Sequence, residues 1–368
     1  MSTAIRVGDA LACLRALPAE SVHCCVTSPL YWGLRDYGIP PQIWGGDPGC
    51  RHRWGGEGKS GQRLRNGIGA TTLEGGRIGH VMGSVLHPST GAFCRHCGAW
   101  RGALGLEPDY RLYVDHLVAV MREVWRVLRP DGTLWLNLGD CYATGAGKAK
   151  RPGGGAQGAA WQGGAATQPN RMPQPGLKPK DLAGMPWRVA LALQDDGWWL
   201  RRDIIWSKPN PMPESVRDRP TTAHEYLFLL SKSARYWYDG AAIKEPAVSD
   251  HGAGNGFVGR QGGSSRCSPQ SGGVGSPQPW DKIGGKRNKR SVWTIAPAPF
   301  AGAHFATFPP RLIEPCILAG CRPGGMVLDP FAGAGTTALV ARRLGRDFIG
   351  VELNPAYAEM ARQRLAAA

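Results

Sequence analysis

The sequence predicts an α/β fold built on a parallel, doubly wound sheet, and three observations predict it. Short β-rich runs alternate with segments of helical period along most of the chain. A glycine-rich stretch, Asp329-Pro330-Phe331-Ala332-Gly333-Ala334-Gly335-Thr336-Thr337, joins one such run to a helix. Only 16 residues follow Glu352 in a chain of 368. One βαβ unit cannot make a stable sheet. The other strands must come from earlier in the chain, so the glycine-bearing half is C-terminal and the order of the halves is circularly permuted.

The elements follow in order. Val22–Thr27 is a β-rich run. From Glu107 to Leu128, Tyr113, Leu117, Val120, Val124 and Val127 recur at the spacing of one helix face, and Pro108 suits a first turn. Pro130-Asp131-Gly132 predicts a turn and Thr133–Leu138 the next strand. Met326–Leu328 reads as a strand, Thr336–Leu344 as a helix, Asp347–Leu353 as a strand and Tyr357–Leu365 as a last helix. Residues 145–179 and 251–290 are rich in Gly and either Pro or Ser and carry little apolar periodicity, so both are expected to be mobile loops.

Composition narrows the function. Hydrophobic residues make up 42%, enough for a core, and 44 Lys+Arg against 28 Asp+Glu leave a net charge of +16. That excess points to a polyanionic partner. No apolar run approaches the roughly 18–20 residues of a membrane span. Met1–Ala10 lacks a signal peptide's apolar region, which disfavours membrane and secreted readings. Ten scattered cysteines fit a reducing cytosol better than a disulfide scaffold.

The glycine loop follows a strand and opens a helix, where a ligand can approach the backbone closely. Glu352, at the end of the next strand, is placed to hydrogen-bond ribose hydroxyls. The loop lacks the GxGxxG form of dinucleotide sites. DPFAGAGTT followed by GVELNP resembles instead the FxGxG motif of S-adenosylmethionine methyltransferases, whose sheet is Rossmann-like. The resemblance implies that cofactor, with Asp329 at its methionine end and Glu352 at its ribose. Phe331, Gly333, Gly335, Thr336, Thr337 and Asn354 complete the set.

Thr27-Ser28-Pro29-Leu30-Tyr31-Trp32, directly after the first β-rich run, resembles the SPPY tetrapeptide of DNA amino-methyltransferases, often DPPY in adenine enzymes. Gly8-Asp9 resembles their acidic contact to the cofactor adenine. His304–Pro309 resembles the segment closing over the methionine moiety, which adds Thr307, Phe308 and Pro309. Gly132–Asp140 resembles a core strand, and Trp206–Asn210 with Glu214–Asp239 a block lining the target-base side. Tetrapeptide first and FxGxG last marks the β group of these enzymes, in agreement with the permutation.

The chemistry accounts for the residue types. An exocyclic amine is a poor nucleophile because its lone pair is delocalised into the ring. Acceptors for its two protons, Ser28 and the Pro29 carbonyl, favour tetrahedral nitrogen. Tyr31 would stack on a base that has left the duplex. The family's usual third-position proline is Leu30 here, which is expected to leave the loop looser. Ser28 favours cytosine N4, and adenine N6 stays open. A methyltransferase of small molecules or proteins, and a DNA-binding protein with a degenerate site, are the more distant alternatives.

Cys50-Arg51-His52 and Cys94-Arg95-His96-Cys97 form a CxH…CxxC set suited to one structural zinc, with His80, His87 and His96 as spare candidates. Lys148, Lys150, Arg151 and Trp206, with Lys286, Arg287, Lys289 and Arg290, are the candidate contacts to double-stranded DNA. The expected organisation is catalytic residues 1–44 and 107–143, a zinc-bearing insert at 45–106 and basic flexible loops at 144–180 and 250–291. Target-base residues 181–249 and cofactor-binding residues 292–368 complete it. The resemblance further implies a cytoplasmic protein of bacterial, archaeal or phage source, with a cognate restriction endonuclease as a candidate partner.

Overall fold

The structure is a computed structural model, and it describes residues 3–33, 38–55, 92–143, 176–247, 286–298 and 308–367. Lys148, Lys150, Arg151, Thr307, His80 and His87 lie outside the described residues.

The strands are β1 (Thr3–Val7), β2 (Val22–Thr27), β3 (Gln42–Trp44), β4 (Ala92–Phe93), β5 (Trp100–Gly102), β6 (Leu128–Leu138), β7 (Trp199–Ser207), β8 (His224–Ser231), β9 (Glu245–Pro246), β10 (Lys286–Arg287), β11 (Val292–Thr294), β12 (Met326–Asp329) and β13 (Asp347–Glu352). The helices are α1 (Ala10–Arg15), α2 (Tyr110–Val127), α3 (Met185–Asp195), α4 (Pro310–Gly320), α5 (Thr336–Arg343) and α6 (Pro355–Ala366). Eight strands form the main sheet in the order β1-β13-β12-β2-β6-β8-β7-β11. The C-terminal strands β13 and β12 are thus inserted between β1 and β2, in the permuted order expected.

The sheet is not wholly parallel, as the sequence reading had it. β8 runs antiparallel to both neighbours, β6 and β7, while the other pairs are parallel. Local sequence cannot show direction, because a strand buried on both faces reads the same either way. Its side chains alternate between two cores: Phe228 and Leu230 join α1, α2 and α3 on one face, and Leu227 and Leu229 join α4, α5 and α6 on the other. No helix among the described residues is long and apolar enough to cross a membrane.

Two boundaries differ from the sequence reading. Asp109, not Pro108, starts α2: its carboxylate accepts from Arg111 N at 2.8 Å, leaving Pro108 outside the helix. Pro130-Asp131-Gly132 lies within the span of β6. The pairing of β2 with β6 jumps there, from Val22 opposite Leu128 to Cys24 opposite Thr133, so the turn-forming residues are accommodated as a bulge. A separate three-stranded sheet, β3-β5-β4, is built by the segments flanking residues 56–91.

Candidate active site

The carboxyl ends of β1, β2, β6, β12 and β13 open on one edge of the sheet, where α/β proteins place their ligands. The antiparallel β8 brings its beginning to the same edge. A cleft of about 890 Å³ lies there, lined among others by Asp9, Ser28, Tyr31, Glu225, Phe331 and Glu352.

The cofactor half is held by its own acids. Asp329 is buried at the end of β12. Its Oδ1 accepts from Thr27 Oγ1 at 2.7 Å and from Phe331 N at 3.0 Å, and its Oδ2 from Thr337 Oγ1 at 2.6 Å. Burial pushes this carboxyl up to about 6, against the opposing pull of those donors. Glu352 Oε2 accepts from Gly333 N at 2.8 Å and Oε1 from Asn354 N at 2.8 Å, and burial raises this carboxyl as well. The glycine loop is therefore tied to the next strand through one carboxylate. Asp9 lies beside it, because β1 pairs with β13 and Gly8 N reaches Glu352 O at 3.0 Å.

Not every residue predicted for the cofactor faces the cleft. Asp9, Phe308, Asp329, Phe331, Gly333, Thr336 and Glu352 line it. The Asn354 side chain instead caps α6, accepting from Ala356 N at 2.9 Å. Gly335, at φ +76°, serves helix packing: a Cβ there would lie 2.7 Å from Ala361 Cβ. Thr337 is buried against Asp329, and Pro309 is the buried cap of α4.

The tetrapeptide half is as firmly built. Thr27, the residue before Ser28, makes the hydrogen bond to Asp329, so two motifs 302 residues apart share one contact. Ser28 Oγ donates to Tyr31 Oη at 3.2 Å. Tyr31 Oη donates to Glu225 Oε2 at 2.7 Å and lies 3.1 Å from Asn137 Oδ1. Burial, then the Glu225 charge, holds the phenol well above its usual range, so Tyr31 stays protonated. Lys208 closes an ion pair with Glu225 and sits 4.4 Å from the centre of the Trp206 ring.

The loop carrying Leu30 is anchored by hydrogen bonds on its far side. The Leu30 carbonyl accepts from Tyr113 Oη at 2.8 Å, the Trp32 indole donates to Glu107 O at 3.0 Å, and Gly33 N donates to Gly105 O at 2.8 Å. These three hydrogen bonds tie the loop to α2 and the turn before it.

Glu225, Asn137, Lys208 and Gly139 lie in segments named in the sequence analysis, but none was given a role of its own. The first three meet only because β6, β8 and β7 are neighbours. Gly139 leaves space for the Tyr31 ring: a Cβ there would lie 2.6 Å from Tyr31 Cε2. The GD pair after a buried strand was its only signal.

The DNA candidates divide. Trp206 is buried in the cleft wall, its indole donating to Ile295 O at 2.8 Å, rather than on an outer surface. Arg287 and Arg290 both hold Glu245, at 2.9 and 2.6 Å, and Lys286–Arg287 pair as β10 with β9. The end of the expected flexible loop is therefore structured. Lys289 lies 4.9 Å from the centre of the Trp293 ring, and Lys286 is exposed. Cys50, His52, Cys94 and Cys97 do come together, with their ligand atoms all within 4.8 Å of one another.

With both halves in one cleft, comparison with known proteins is decisive. The family N6_N4_Mtase, described as DNA methylase, matches residues 22–363. The chain belongs to this family. It is a DNA methyltransferase of the N4/N6 amino type. The chain is 41% identical over 364 residues to the type II methyltransferase M.XycI of Xanthomonas campestris pv. cyanopsidis, covering 97% of this chain and 86% of the relative. It is 39% identical over 365 residues to M.SmaI of Serratia marcescens, covering 99% and 91%. Among solved structures, the PvuII DNA methyltransferase, named as cytosine-N4-specific, shares the fold with a TM-score of 0.54 at 17% identity, over 99% of this chain and 86% of that one.

Proposed function

We propose that the protein transfers a methyl group from S-adenosylmethionine to the N4 amino group of a cytosine turned out of DNA. The observation that carries this reading is the Thr27–Asp329 hydrogen bond. It ties the Ser28 loop to the glycine loop, so amine and methyl donor would meet in one cleft. The residues fit the cofactor: Phe331 and Phe308 offer apolar walls, Gly333 close backbone approach, and hydrogen-bond acceptors come from Glu352 at the end of β13 and from Asp9, the cap of α1 just after the neighbouring strand. When bound, S-adenosylmethionine supplies an electrophilic methyl group and a thioether leaving group.

The chain's own residues prepare the amine. Ser28 directs its proton to Tyr31, so its lone pairs remain for an N–H of the base. With the Pro29 carbonyl as second acceptor, the nitrogen is drawn toward tetrahedral geometry and its lone pair is freed. The Tyr31 ring stacks on the extruded base, fixed in place by Glu225 and Asn137. After transfer the methylated nitrogen must lose one proton, and the chain Ser28–Tyr31–Glu225 leads it to a carboxylate.

A neutral serine favours cytosine, where adenine relatives usually carry an acid. Adenine N6 is the second reading, since both amines can donate to Ser28. Nucleosides from DNA treated with the protein and S-adenosylmethionine decide it by mass spectrometry: N4-methylcytosine is expected, and N6-methyladenine alone would overturn the base assignment. Ser28→Ala should lower kcat far more than cofactor affinity, because the contact serves the transferring geometry. The accompanying biological role is protection of DNA from a cognate restriction endonuclease.

A further inference from the structure

We propose that Cys50, His52, Cys94 and Cys97 hold one zinc ion, and that this staple fixes the wall of the target-base side of the cleft. The second half rests on the reading of that cleft given above. The first stands on geometry alone. With Zn–S of about 2.3 Å and Zn–N of about 2.0–2.1 Å, a tetrahedral ion places two sulfurs about 3.8 Å apart and a sulfur and a nitrogen about 3.6 Å apart. Cys50 Sγ and Cys94 Sγ are 3.9 Å apart, and Cys97 Sγ and His52 Nδ1 are 3.4 Å apart. Three thiolates and an imidazole form a closed donor set without an open position, which suits a structural rather than a catalytic ion.

The surroundings prepare the ligands. The two ligand-bearing segments pair antiparallel: Trp54 bridges Cys94, Gly55 N donates to Phe93 O at 2.9 Å, and Arg95 N to Arg53 O at 2.8 Å. His96 N approaches Cys94 Sγ at 3.4 Å, an amide aimed at a sulfur. Trp54 stacks on His52 with ring centres 4.8 Å apart, which orients the imidazole.

From the cluster a continuous path leads to the catalytic tyrosine. β3 immediately precedes the insert and pairs with β5 inside it, and its Gln42 and Trp44 line the cleft. Trp44 and Trp100 both stack on His116, at 4.8 and 5.5 Å. His116 Nδ1 meets buried Glu107 at 3.0 Å. The Glu107 carbonyl accepts from Trp32, the neighbour of Tyr31. Trp44 and Trp100 anchor one end of the β3-β5-β4 sheet in the main core, and a metal at the ligand-bearing segments would fix the other.

The test uses the full chain. Elemental analysis of native protein should find about one zinc per chain, and cobalt substitution should give the intense visible bands of tetrahedral thiolate coordination. His52→Ala should lose the metal and His52→Cys should keep it. Removal of zinc should raise the KM for DNA several-fold and leave cofactor affinity, measured by calorimetry, unchanged. Absence of stoichiometric zinc, or full zinc in Cys94→Ser, would overturn the site. Zinc loss without change in KM, or with equal loss of cofactor binding, would overturn the coupling. If the base assignment failed instead, metal content and the cobalt spectrum would be unaffected.

Discussion

Gly139→Ala isolates the placement of the Tyr31 ring. No left-handed backbone is required at Gly139, so alanine adds a methyl group and nothing else. That methyl would lie 2.6 Å from Tyr31 Cε2 and 3.0 Å from Cδ2, where carbon contacts settle at about 3.5–4.0 Å. The ring must retreat by about 1 Å. The Tyr31–Glu225 hydrogen bond, now 2.7 Å, would then stretch beyond the roughly 3.0 Å limit of a good O–H···O bond. Overpacking of this kind costs about 1–3 kcal/mol of stability. The effect on rate should be larger, on the order of 100-fold in kcat for an ångström of misplacement. The assay is methyl transfer to DNA under single-turnover conditions, with cofactor affinity by calorimetry as the control, because Gly139 does not line the cofactor half. Tyr31→Phe keeps the ring and deletes only the hydroxyl, so it separates stacking from the link to Glu225. A cooperatively folded Gly139→Ala enzyme with undiminished turnover would refute the placement of Tyr31 as the base-stacking residue.

Two further outcomes follow from the charges. Asp329 titrates near about 6 in the folded protein against an ordinary 3.8, so the native state holds a proton that the unfolded chain has released. Its contribution to stability should therefore fall by ~3 kcal/mol as pH rises from about 4 to about 6, and level off above that. Asp329→Asn should remove this component, which urea denaturation of both proteins across the window would reveal as a difference in slope; parallel curves would refute the assignment. At the basic patch, Lys286→Gln with Lys289→Gln should reduce the salt dependence of DNA binding by about two units of slope. Glu245→Gln should steepen it, because Arg287 and Arg290 lose their shared carboxylate. Binding isotherms at several salt concentrations measure both, and unchanged slopes would make the patch a bystander.

The sequence by itself determined the features whose cause is local. The glycine loop, the strand before it and Glu352 were legible because a βα turn that admits a ligand needs glycine at fixed positions close in the chain. The Ser28 tetrapeptide was legible as a motif directly after a β-rich run, and its place ahead of the glycine loop in the chain gave the permutation. The CxH…CxxC spacing named four residues that the fold brings together. Tertiary structure alone decided what depends on lateral pairing. The antiparallel course of β8 puts Glu225, at the start of its strand, beside residues at the ends of β2 and β6. It also fixed which candidates face inward, turning Asn354 to a helix cap and Trp206 into the cleft wall. A side chain's neighbours across a sheet come from strands far away in sequence, and no local pattern records which strand lies next to which. The bond between Thr27 and Asp329 is the clearest instance: each residue stands in a motif legible on its own, and only the adjacency of β2 and β12 makes them one site.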